Sequence, residues 1–128
     1  MKKMLLKNII LRKEELFEQS IQDWAGNGSI AVNIFDGSNS LTDAADAVVL
    51  FHEDYNISKE NESVKELFLN DSKFAHTIDI NGTLVASVSS FVFWLENHKP
   101  KKLLLVGDDK LTNNVKFKKY LDQLIKRL

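Results

Sequence analysis

Five residues in the sequence offer hard oxygen donors at loop positions: Asp36, Ser38, Ser40, Thr83 and Asp108. Carboxylate and hydroxyl oxygens of this kind suit Mg²⁺ or a similar divalent cation. The first three form Asp-x-Ser-x-Ser directly after an apolar run, where their short side chains could equally bond nearby backbone N–H groups as turn and helix-cap residues. His52, beside Glu53 and Asp54, has an unperturbed pKa of about 6.5 and could serve as a general base or ligand near neutral pH. A surface histidine at a strand end fits the same position. His76 reads as a hydrogen-bonded core or edge residue. Asn81-Gly82-Thr83 opens an apolar stretch and could bring free backbone N–H groups to an anion, or form a plain helix N-cap. Lys110 is the one cation near these loops that could hold a phosphate oxygen.

Two family resemblances follow from these residues. The Asp36-x-Ser38-x-Ser40 pattern, with Thr83 after a glycine and Asp108 after the last strand, resembles the metal-ion-dependent adhesion site of von Willebrand A domains. That resemblance implies a divalent cation held by Asp36, Ser38, Ser40, Thr83 and Asp108. The run Ile78-Asp79-Ile80-Asn81-Gly82-Thr83 is similar in shape to the regulated loop of STAS domains, with Ile80 and Asn81 where that family places a Ser or Thr pair. It implies a regulatory domain with a mixed sheet. A third possibility is nucleotide or flavin binding in a flavodoxin-like crevice, with Asn81, Gly82 and Thr83 facing phosphate. No Gly-x-Gly-x-x-Gly and no Walker motif is present, so dinucleotide binding and P-loop hydrolysis lose their main support.

The elements that must position these loops alternate between short β-type runs and helical stretches, the pattern of a parallel α/β sheet. Residues 30–35, 47–51, 74–80 and 102–106 read as strands, and residues 63–70, 84–97 and 114–128 as helices. The apolar positions Leu5, Leu6, Ile9, Ile10, Leu16, Phe17, Ile21 and Trp24 share one side of a helical projection, with Glu14, Glu15, Glu18 and Gln22 mainly opposite. The simplest reading is therefore a long amphipathic N-terminal helix. The alternative is a fifth strand at residues 4–10 followed by a shorter helix. Between Phe35 and Ala47 the connection is near the minimum for a helical crossover. If residues 40–46 form a helix the next strand is parallel, and if they do not the sheet is mixed. The expected fold is a single three-layer α/β domain, flavodoxin-like, on a mostly parallel sheet of four or five strands, with the mixed STAS-like sheet as alternative.

Bulk properties bound the function. The 128 residues are 44% hydrophobic and 27% charged, a composition that folds without staples. No cysteine is present, which excludes thiolate chemistry and leaves a reducing, cytoplasmic location unopposed. Lys7 and Asn8 break the N-terminal apolar run, and no signal peptide is read. A formal net charge of −1 gives no general attraction to nucleic acid or anionic lipid. Lysines crowd the end of the chain as a solvated helix face. The apolar run from Leu84 to Leu95 is well short of the roughly 20 residues a membrane helix needs. Helix 84–97 is apolar nearly all round, which calls for cover by the sheet on one side and by the N-terminal helix, a protein partner or a second copy on another. The functional expectation is a non-catalytic regulatory or protein-interaction module. The alternative is a metal site on the acidic rim, adhesive or acting on a phosphorylated ligand, with Mg²⁺ the one cofactor suggested.

Overall fold

The computed structural model describes residues 5–128. In chain order the elements are β1 (Asn8–Leu11), α1 (Leu16–Asn27), β2 (Ala31–Ile34), α2 (Leu41–Ala44), β3 (Ala47–His52), α3 (Lys59–Asn70), β4 (Phe74–Asp79), α4 (Leu84–His98) and β5 (Leu103–Val106). A 3-10 turn (Asp109–Asn113) and α5 (Val115–Ile125) complete the chain. The five strands lie in the order β2-β1-β5-β3-β4, and every pairing is parallel. The three-layer, flavodoxin-like class expected from the sequence is the one observed, with the last strand inserted at the centre of the sheet.

The N-terminal segment corrects the simplest sequence reading. There is no single long helix; a strand comes first, and α1 starts only at Leu16. Ile9 and Leu11 enter the core under α1, α4 and α5, whereas Ile10 enters the opposite core with Val48, Leu50, Leu104 and Val106. A strand buried on both faces reads as an unbroken apolar run. Such a run also satisfies a helical projection, which is why periodicity alone does not separate the two. Met4, the first residue of the alternative strand reading, lies outside the described residues.

The short connection before β3 resolves in favour of a parallel crossover. Ser40 accepts the Asp43 N–H at 3.2 Å and caps the one-turn helix α2, and β3 then pairs in parallel with β4 and β5. The mixed STAS-like sheet is therefore not formed. Connections that move toward β4 carry α2 and α3 on one face, and those that return carry α1 and α4 on the other. This is the arrangement right-handed crossovers require.

Helix α4 buries Val88, Phe91, Val92 and Leu95, while Val85 and Phe93 stay 71% and 66% exposed. Its helical neighbour is α5, whose Tyr120 hydroxyl donates to the Ser87 carbonyl at 3.3 Å. Among the described residues, no helix is long and apolar enough to cross a membrane.

Candidate functional site

In an open parallel sheet, ligands bind beyond the carboxyl ends of the strands, where adjacent strands send their helices to opposite faces. That condition holds between β2 and β1, between β5 and β3 and between β3 and β4; at the centre of the sheet α5 follows β5 onto one face and α3 follows β3 onto the other. Three polar side chains meet there. Arg12 comes directly after β1, Asp108 follows β5, and Asn61 stands in the first turn of α3, where the Ser58 hydroxyl accepts its backbone N–H. Arg12 Nη2 donates to Asn61 Oδ1 at 2.9 Å, and Asn61 Nδ2 donates to Asp108 Oδ1 at 3.0 Å. Asn61 is buried, as an amide spending both its ends in such a chain must be.

The Arg12 side chain is only 12% exposed, yet its ion-pair partner Glu60, at 3.3 Å, is 63% exposed. An exposed carboxylate of this kind contributes about 0–1 kcal/mol and is easily displaced. The Arg12 Nε atom is buried without a hydrogen-bond partner among the described residues. A guanidinium presents its donors as a planar fork matched to oxyanions.

Beside this network α1 begins. Glu15 is its N-cap, and the Glu15 N–H donates to Glu18 Oε1 at 3.2 Å in a reciprocal capping box. Asp109 reaches across from the end of β5 and accepts the Phe17 N–H at 3.0 Å. Gly107 permits this approach: a Cβ there would fall 2.6 Å from the Phe17 ring. Glu15, Glu18 and Asp109 thereby bring one carboxylate oxygen each within 4.8 Å of one another. Glu15 is exposed and paired with Lys13 at 2.8 Å, whereas Glu18 is fully buried. Burial holds the Glu18 carboxyl above the usual carboxylate range.

The residues singled out in the sequence scatter along the edge of the sheet. Asp36, Ser38 and Ser40 follow β2 at one end, and Thr83 follows β4 at the other, with β1, β5 and β3 between them. Four strand spacings of about 4.8 Å separate the two ends by roughly 19 Å. Asp108 alone lies at the centre, so the five do not converge on one ion. Asp36 Oδ1 accepts the Ser38 N–H at 2.9 Å, and the Ser38 hydroxyl, together with that N–H, holds its carboxyl below the usual range. Ser38 and Ser40 are exposed in this loop, and Ser40 has the capping role described above.

The loop after β4 is a closed polar knot. Asn81 Nδ2 donates to Asp54 Oδ2 at 2.9 Å, Asn81 Oδ1 accepts from Asn114 at 3.1 Å, and Asp79 Oδ1 accepts from the Asp54 and Asn81 backbones. Gly82, Thr83 and Lys110 are exposed. His52 is buried at 2% exposure, because β3 is covered along its whole length. That corrects the surface-histidine reading. Its Nδ1 accepts the Tyr55 N–H at 3.0 Å, and burial lowers its pKa against the pull of Asp79 and Asp54.

Arg12, Glu18 and Asn61 escaped the sequence reading. The long-helix reading hid Arg12 and put Glu18 on a solvated face. The signal that finds both is the Glu15-x-x-Glu18 spacing of a capping box just after an apolar run, which ends a strand and starts a helix.

Fold and site together define an open, doubly wound α/β protein with a polar side-chain network at the carboxyl edge of its sheet. No protein-family model and no curated protein matches the chain. Among solved structures it is similar to a proposed molybdenum carrier protein of Syntrophus aciditrophicus SB, with a TM-score of 0.63 over 97% of each chain and 12% sequence identity. At that identity the likeness is one of fold.

Proposed function

We propose that the protein is a carrier-type binder of a small oxyanion, taken at the central network of Arg12, Asn61 and Asp108. The observation that carries the reading is Arg12: a largely buried guanidinium with an unpartnered Nε and an exposed, displaceable partner in Glu60. An anion that replaces Glu60 meets a donor fork already fixed by Asn61, at little cost in side-chain ordering. The similar fold described as a molybdenum carrier makes molybdate, a tetrahedral oxyanion in neutral water, the first ligand to test. The absence of cysteine suits a reducing, cytoplasmic setting.

Thermal unfolding with molybdate, tungstate, phosphate and sulfate tests this reading. A ligand at one hundred times its Kd stabilises the folded state by about 2.7 kcal/mol. Molybdate or tungstate is expected to raise the melting temperature of the native chain and not that of Arg12→Gln. Equal melting temperatures in all four anions, or an equal rise in the variant, would exclude it.

A second reading rests on the outer side of α4, where Val85 and Phe93 remain exposed and Phe74 on β4 is half exposed. These residues suit a protein partner or a second copy of the chain. Sedimentation of the native chain against Phe93→Ser decides it: a dimer lost in the variant supports the reading, and a monomer in both removes self-association.

A further inference from the structure

Glu18 presents a difficulty that the capping box leaves unsolved. Its side chain is fully buried, and only Oε1 is used, by the Glu15 N–H. Oε2 is buried with no hydrogen-bond partner among the described residues. A buried carboxylate oxygen without a partner costs on the order of several kcal/mol unless something neutralises it. Acids in the first turn of a helix are ordinary, because they face the positive end of its dipole. That accounts for Glu15 and Glu18. It accounts as well for Asp109, whose Oδ1 accepts the Phe17 N–H at the same helix start, but not for the unpartnered Glu18 Oε2 beside two further carboxylates, the three offering oxygens within 4.8 Å of one another. Three like charges so close repel one another, and Lys13, which pairs with the exposed Glu15, is the one cation in contact with them among the described residues.

The geometry points to a hard divalent cation of the Mg²⁺ or Mn²⁺ class, bound by the carboxylates of Glu15, Glu18 and Asp109 where α1 begins beside the end of β5. The donors are all oxygen, with no sulfur in the chain other than methionine, which selects a hard ion over Zn²⁺ or Cu²⁺. Octahedral Mg²⁺ at about 2.1 Å from each oxygen sets its ligands about 3 Å apart in adjacent positions and about 4.2 Å apart in opposite ones. The three carboxylates offer oxygens within 4.8 Å of one another, close to these spacings. Mg²⁺ and Mn²⁺ accept a few carboxylates and complete their shell with water, whereas Ca²⁺ asks for six to eight oxygens. This site does not depend on the oxyanion reading. It would, however, offset the negative charge on that side of the network, where a bare anion is otherwise opposed.

Titration with Mn²⁺ alone, followed by electron paramagnetic resonance of the free ion, tests the site on the native chain, Glu18→Gln, Asp109→Asn and Asp36→Asn. Glutamine at position 18 keeps the amide oxygen that the capping box needs, so the helix start is retained. The native chain and Asp36→Asn are expected to bind one Mn²⁺ each, displaced by Mg²⁺, with binding at least tenfold weaker in Glu18→Gln and Asp109→Asn. No binding by the native chain at millimolar Mn²⁺, or native-like binding by Glu18→Gln, would overturn the proposal. Molybdate response and Mn²⁺ binding are read separately, so either can fail while the other holds.

Discussion

The centre and the two ends of the sheet's carboxyl edge are built from similar residues and behave differently. At the ends, Asp36 and Ser40 bond to backbone N–H groups within three residues, and Asp79, Asn81 and Asp54 tie one another into a closed set. At the centre, Arg12, Asn61, Asp108, Glu18 and Asp109 come from four separate segments, are more deeply buried, and leave Arg12 Nε and Glu18 Oε2 without partners. Polar residues crowded in sequence mark turns that satisfy themselves. Polar residues brought together by topology and left incomplete mark a place where something else can bind.

That contrast makes the central network the more costly one to disturb. Asn61→Ala leaves Arg12 Nη2 and Asp108 Oδ1 unpaired in a partly buried setting and is expected to cost about 2–3 kcal/mol, read by urea unfolding. A loss no greater than that of an exposed polar residue would erase the distinction between centre and ends. Gly107→Ala is expected to cost about 1–3 kcal/mol, because its Cβ meets the Phe17 ring and forces α1 away from β5. The same variant should weaken Mn²⁺ binding, since it displaces Asp109 from Glu18.

The edge strand β4 supplies a pH-dependent contrast. His76 stacks on Phe91 and Trp94 with ring centroids 5.5 and 5.3 Å away, and burial, aided by the charge of His98, lowers its pKa to about 4. The unfolded chain, with a histidine pKa of about 6.5, takes up this proton first as pH falls. The His76 contribution is therefore complete above pH 6.5 and lost progressively toward pH 4. Solvent at this half-open edge reduces the effect to on the order of 1 kcal/mol. Comparing unfolding of the native chain and His76→Phe between pH 7 and pH 4 isolates it, and parallel curves would refute the assignment. The smallest effect belongs to the end of the sheet: Ser40→Ala should cost about 0.5–1 kcal/mol through the lost cap of α2 and leave Mn²⁺ binding untouched.

Much of the fold was legible because its signals are local. The runs at 30–35, 47–51, 74–80 and 102–106 have strand composition and are bounded by turn residues, and the last helix carries the 3.6-residue period. β1 was ambiguous because Ile9, Ile10 and Leu11 are buried on both faces of a central strand, which erases alternation. The site was legible only in outline. The loop positions of Asp36, Asp108 and Asn81–Thr83 were read from the sequence, but which loops meet depends on strand order. The insertion of β5 between β1 and β3 is a tertiary fact that no local pattern carries. It sets Asp108 beside Arg12 and Asn61, and it leaves Asp36 and Thr83 at opposite ends.

The central claim is that ligands enter at the middle of this edge and not at its ends. The most direct measurement is an anomalous-scattering map at the molybdenum edge from crystals of the native chain soaked in molybdate. The account predicts one peak within hydrogen-bonding reach of the Arg12 guanidinium, with Glu60 turned away from it. A peak in the Asp36–Ser40 loop or at Asn81–Thr83 with none at Arg12, or no peak at all, would contradict it.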